Sequence, residues 1–221
     1  MTTTVPVGAV EHPAGLRERK KLATRRALQR AALRLVAERG LDHVTVDDIA
    51  AAADVAPRTF FNYFSSKEDA PLGRDPDKRA RVAAALLERP TDESPLMALH
   101  AVLVAEADEM AAGVEDWQLR MTLVNDYPQL LPRHLAGFAE GERALAEAVA
   151  ARSGLSREDS SYADLVAAVA LAAMRTAMAR WRATDCTRPL AAHIDEAFRL
   201  LAAGLPVPPT PRPRRRTGAH Q

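Results

Sequence analysis

Residues 40–69 constrain the fold more tightly than any other part of this chain. They read GLDHVTVDDIAAAADVAPRTFFNYFSSKED. Thr45 is placed to cap a short helix over 46–53. Asp47 and Asp48 fall in its first turn, where the helix dipole favours negative charge. Ala53, Asp54 and Val55 form a tight turn. Pro57 suits the first position of a second short helix, reaching about Tyr63. Helices this short do not persist alone in water. Ile49, Ala50, Val55, Phe60 and Phe64 are spaced to knit them together, which is the small core a helix-turn-helix requires. With Phe60 and Phe64 inward, Arg58, Thr59, Phe61, Asn62 and Tyr63 turn sideways and outward. Those donors and rings suit phosphates and base edges.

The rest of the chain reads as helix. Hydrophobic residues make up 48%, alanine alone about a fifth, and Gly occurs only 10 times in 221 residues. Ala, Leu, Arg and Glu are strong helix formers, so the expected fold class is all-α. Leu22, Ala27, Ala31, Leu35 and Val36 are compatible with one stripe, closed by Gly40. Ser66 with Asp69 resembles a capping box for the helix that follows. Pro71 should break or kink that helix early, with regular structure resuming near Asp77. Later helices are predicted over about 95–112, 115–126, 129–152, 159–184 and 189–203, with Gly154 in the turn after Ser153. The Pro- and Thr-containing leader, 1–15, reads as disordered. The tail, 206–221, combines five prolines with four arginines and reads as extended, polyproline-like chain. Two folded domains are therefore expected, 16–70 and 71–205.

Near-neutral charge hides an uneven distribution. Residues 1–81 carry net +4, residues 82–205 net −7, and residues 206–221 net +4. Nine basic and two acidic residues lie between Leu16 and Arg39. A basic first helix on an acidic body suggests an anion-binding module joined to a different kind of domain. One cysteine, Cys186, excludes an intrachain disulfide framework and a multi-thiolate metal site. The N-terminus lacks the apolar stretch of a signal peptide. The longest apolar run, 165–174, falls short of the roughly 20 residues a bilayer needs. A cytoplasmic protein that does not engage membranes is expected. No P-loop, G-x-S-x-G or H-E-x-x-H string occurs, and the six histidines lack ligand spacing. The expectation is a non-enzyme with no metal and no cofactor.

The run RTFFNYFSSKED, preceded by TVDDIAAAADV and a basic helix, resembles the DNA-binding domain of TetR-family transcriptional repressors over residues 17–70. The resemblance implies a homodimer that binds double-stranded DNA through one three-helix head per subunit. It also implies a helical body that takes a small-molecule effector. By that match Thr45, Thr59, Tyr63 and Lys67 would contact phosphates, while Arg58, Phe61 and Asn62 would face the major groove. Asp54 stands where the family's turn commonly has Gly, and Ala56 where a capping Ser is common. Asp tolerates a left-handed backbone better than most residues. A helical adaptor binding an acidic protein through the basic first helix is the alternative, although it leaves the outward Arg58, Asn62, Tyr63 and Lys67 unexplained.

In the body, bulky adaptable side chains stand out against alanine. Met97, Trp117, Met121, Phe138, Met174, Met178 and Trp181 either fill a core or line a plastic pocket. His100, Arg120, Asn125 and Tyr127 are candidate polar partners there. Arg120 could pair a ligand anion, or simply Glu115 or Asp116. The body resembles family members with acyl-CoA-like or otherwise lipophilic effectors. The helix near 159–184 is apolar on two faces, which predicts burial on both. Leu165, Val169 and Ala173 on that helix, with Ile194, Phe198 and Leu201 on the last, are the expected dimer interface.

Overall fold

The computed structural model describes residues 13–156, 161–184 and 186–206. Every regular element among them is an α or 3₁₀ helix. The expected disordered leader lies outside the described residues up to residue 12, and residues 13–15 already belong to the first helix. The expected extended tail lies outside them beyond Pro206.

The head contains α1 (Pro13–Arg39), α2 (Val46–Ala52) and α3 (Pro57–Phe60). Its core is built from large side chains. Leu28, Leu33, Leu41, Ile49 and Phe60 are fully buried, and Phe64 nearly so. The Phe60 and Phe64 rings sit 5.4 Å apart. The body contains α4 (Pro76–Leu87), α5 (Pro95–Ala105), α6 (Ala107–Ala112), α7 (Val114–Asp126), α8 (Leu131–Ser153), α9 (Ser161–Ala183) and α10 (Leu190–Ala202). Its core is alanine-rich, with Ala98, Ala107, Ala163, Ala167, Ala170 and Ala177 almost or fully inaccessible. The two cores are not independent. Leu123, Val124 and Leu130, from α7 and the turn after it, pack into the head's core.

Two local expectations change. The segment after Phe64 forms no α-helix at Ser66. The Asp69 carboxylate is held by Ser65, Ser66 and Arg133 instead of closing a capping box, and only a 3₁₀ turn, Ala70–Leu72, precedes Gly73. Helix α4 starts at Pro76, close to the expected Asp77, and Asp75 caps it by accepting from the Lys78 N–H at 3.0 Å. The single helix expected over 95–112 divides at Glu106, although Met110 N still donates to Glu106 O at 3.0 Å across the break.

Helix α9 presents three faces, not two. Ala163, Val166, Ala170, Ala173 and Ala177 are buried in the body core. Leu171, Met174 and Met178 line a cavity. Tyr162 and Leu165 are exposed, with Val169 and Ala172 half-buried and Thr176 exposed on the same side. By length and mean hydropathy of 1.3 this helix could cross a bilayer, which the ten-residue apolar run did not suggest. Here it packs against α8 and α10 as the core helix of the body.

Candidate DNA-binding surface and ligand cavity

The head's outward surface follows from its caps and turn. Thr45 caps α2 in a reciprocal pair. Its hydroxyl accepts from Asp48 N at 3.1 Å, and its own N–H donates to the Asp48 carboxylate at 2.9 Å. The Thr45 hydroxyl also donates to that carboxylate, and this bond, with the one from the Thr45 N–H, holds the Asp48 pKa below the usual carboxylate range. At the turn, Asp54 adopts φ +55°, a left-handed conformation that Asp tolerates better than most residues. Ala56 offers no capping side chain, and Pro57 opens α3 at its first turn. Arg58, Phe61 and Asn62 are exposed, Phe61 at 61%. Thr59 and Tyr63 are half-buried beside them. The Arg25 guanidinium lies 5.7 Å from the Tyr63 ring centroid and 5.1 Å from that of Phe64, pinning α1 against this surface.

Lys67 is placed differently from the expectation of a simple phosphate contact. Its ammonium donates to Leu41 O and Val44 O, both at 2.9 Å. Two of its three donors therefore close the loop before α2, and one remains.

The segment 69–75, which leaves the helix-turn-helix, is gripped from three helices. Arg133 of α8 donates to Asp69 Oδ1 at 2.8 Å. Arg120 of α7 donates through Nε to Pro71 O at 2.9 Å. Gln29 of α1 donates to Arg74 O at 2.9 Å, and Arg25 to the same oxygen at 3.3 Å. The Arg74 side chain pairs with Glu140 of α8. Gly73 is required here twice over. Its φ is +68°, and a Cβ would lie 2.7 Å from Arg120 Nε. Burial lowers the Arg120 pKa, partly offset by the charge of Asp116.

Two adjoining cavities, of about 770 and 390 Å³, open beside that segment. Gly73, Asp75, Trp117, Arg120, Phe138 and Met174 line both. Met178 lines the larger and Met121 the smaller. Six of the sequence-selected residues thus converge on one space. Five do not. Met97 is 48% exposed elsewhere, and Asn125 faces solvent. His100 contacts Asp195 at 2.7 Å and packs on the Phe198 ring. Tyr127 lies against the head's core, with its hydroxyl beside Gly40. Trp181 is buried in the body core. Sequence reading missed Arg175 and Arg182, which line the larger cavity beside Met174 and Met178. Their spacing on α9 carried the signal, since 174, 175, 178 and 182 share one helical face. It also missed His134, whose pKa is lowered by burial and by the Arg120 charge.

The expected dimer surface is only partly on the outside. Leu165 is 62% exposed, and Val169 and Leu201 are half-buried. Ala173, Ile194 and Phe198 lie inside the protomer at 7%, 0% and 3% exposure, so they cannot meet a second subunit. The stripe on α9 turns through Ala172 rather than Ala173.

A helix-turn-helix with exposed donors, tied to a hollow helical body, defines a DNA-binding regulator. Residues 28–69 match the family described as bacterial regulatory proteins, tetR family. Residues 93–206 match the MftR C-terminal domain. The chain is 37% identical over 186 residues to the HTH-type transcriptional regulator TcmR of Streptomyces glaucescens, spanning 81% of this chain and 82% of TcmR. It is 30% identical over 188 residues to MftR of Mycobacterium tuberculosis, spanning 85% and 93% respectively. Among solved structures, the fatty acid degradation regulator FadR of Bacillus halodurans shares the fold, with a TM-score of 0.53 at 21% identity over 82% of this chain and 96% of that one. The chain belongs to the TetR family of bacterial transcriptional regulators. The adaptor alternative accounts for none of these matches.

Proposed function

We propose that this regulator is a homodimeric repressor that leaves a pseudo-palindromic operator when its body takes up a small lipophilic effector. The observation that carries this reading is the shared wall. Gly73 and Asp75, in the segment that leaves the DNA-binding head, also line the cavity of the body. A ligand in that space touches the joint directly. Arg58, Phe61 and Asn62 are the groups offered to the major groove, and Thr45, Thr59, Tyr63 and the remaining donor of Lys67 those offered to phosphates. The two heads of a dimer must sit about 34–36 Å apart to enter successive major grooves. An effector that favours another separation weakens DNA binding 5–150-fold for about 1–3 kcal/mol of coupling. Acting on the bacterial chromosome, the protein works in the cytoplasm.

Selection of duplexes from a random-sequence DNA pool by the purified full chain, repeated at two salt concentrations, tests this reading. Enrichment of an inverted repeat, with affinity falling as salt rises, is the expected result. Salt-sensitive binding that enriches no motif would overturn sequence-specific regulation.

A further inference from the structure

The larger cavity holds more cationic than acidic side chains, and the acids are already engaged. Arg26, Arg30, Lys78, Arg120, Arg175 and Arg182 line it, against Asp75, Glu109 and Asp116. Glu109 is held by Lys78 at 3.1 Å and by Arg26. Asp75 caps α4, and the charge of Asp116 acts on Arg120. Arg120 itself is directed onto Pro71 O. Arg182 is different. Its Nε is buried and has no hydrogen-bond partner among the described residues. Its guanidinium lies 4.3 Å from the Trp117 ring centroid. Stacking on indole fixes the plane of the fork and leaves its N–H edge for an acceptor. A buried N–H without an acceptor is costly, so the site is incomplete as it stands. Arg175 lies one heptad earlier on the same face of α9, exposed at the mouth and without an ion pair among the described residues.

We propose that Arg182, assisted by Arg175, forms an anion subsite in this cavity, so that the effector is an amphiphile with an apolar tail and one carboxylate or phosphate end. The inference rests on the cavity being the effector site. Arginine's fork matches both oxyanions in bidentate geometry. From there Met178, Leu171, Met174 and Phe138 give an apolar wall running into the smaller cavity. The anion role moves from Arg120, which the sequence suggested, to Arg182. Arg120 becomes the residue that reports occupancy to the joint.

Titration calorimetry of the full chain with decyl phosphate, decanoate and decanol tests the assignment. The three share a tail and differ at one end. The wild type should bind the two anions about tenfold more tightly than decanol. Arg182→Gln should abolish that preference while still binding decanol, which also shows that the variant is folded. Arg120→Gln should keep the preference. A stronger response to decyl phosphate than to decanoate would assign the phosphate form of the head group. Equal binding of all three by the wild type would overturn the anion subsite and leave the lipophilic cavity intact. Loss of the preference in Arg120→Gln but not in Arg182→Gln would overturn the assignment. Binding of none would remove the cavity reading, and the subsite with it.

Discussion

The head and the body solve the same packing problem with opposite materials. Besides the 27-residue α1, the head has two helices of seven and four residues. Neither can hold itself, so each is fastened by a large residue at a defined position, Ile49 on α2 and Phe60 on α3. The body has helices of up to 23 residues, which approach one another through alanine. Close helices need little side-chain volume between them, and the bulky residues left over can surround a cavity. One construction fastens the outward face of the head, and the other leaves a cavity inside the body. A substitution should therefore act differently in the two. A large side chain in the head is a fastener; a large side chain in the body can be a wall.

Phe60→Ala should have the largest effect. Removing a fully buried Phe costs about 3–5 kcal/mol. Operator binding should disappear. If the two cores are separable, denaturation followed by circular dichroism should show the body unfolding in a second, later transition. A single transition would mean that Leu123, Val124 and Leu130 fuse head and body into one cooperative unit.

Two apolar sites in the body should respond to the same charge in opposite ways. Leu165→Glu places a charge on the exposed stripe of α9. It should leave the helical content intact and give monomers by sedimentation at micromolar concentration. Phe198→Glu buries the same charge inside the protomer and should unfold the body instead. A folded, monomeric Phe198→Glu variant would put the dimer surface back on α10. A Leu165→Glu variant that stays dimeric would remove α9 from the interface.

That pair also marks the limit of what the sequence could say. The helix-turn-helix was legible because its anchors differ in kind from their neighbours. Phe60 and Phe64 had to be inside, and Asp54 stood where the chain needs a left-handed residue. The helices of the body were legible too, since prolines and Gly154 punctuate them. Which face of α9 is buried was not. Ala163, Ala170, Ala173 and Ala177 face the core, while Ala172 belongs to the outer stripe, and alanine gives no volume contrast to separate them. Ile194 and Phe198 are apolar whether they meet their own domain or a second subunit. Lys67 is a different case. Its partners, Leu41 O and Val44 O, lie 26 and 23 residues earlier and are backbone atoms, so no residue type announced them. Met97, His100, Asn125, Tyr127 and Trp181 fell outside the cavity because helix packing, not residue chemistry, decides which side chains converge.

The smallest effect expected lies at the joint itself, where Asp69 of the head meets Arg133 of the body. Burial raises the Asp69 pKa, but hydrogen bonds from Ser65 and Arg133, with the Arg133 charge, outweigh it and leave the carboxyl below its ordinary value. The unfolded chain should titrate at about 3.9. Because the folded value is lower, the unfolded state binds the proton first. The contribution is therefore complete above the unfolded value and disappears as pH falls through the folded one. Asp69→Asn has nothing to titrate there. The difference in urea midpoint between wild type and Asp69→Asn should be constant from pH 7 to about 5 and should shrink below about 4. Arg133→Gln should lower the wild-type midpoint at neutral pH and leave that of Asp69→Asn almost unmoved, since the pair is already broken. A difference that grows toward acid would mean that burial wins over the hydrogen bonds. The grip of α8 on the segment leaving the head would then rest on Arg74 and Glu140 alone.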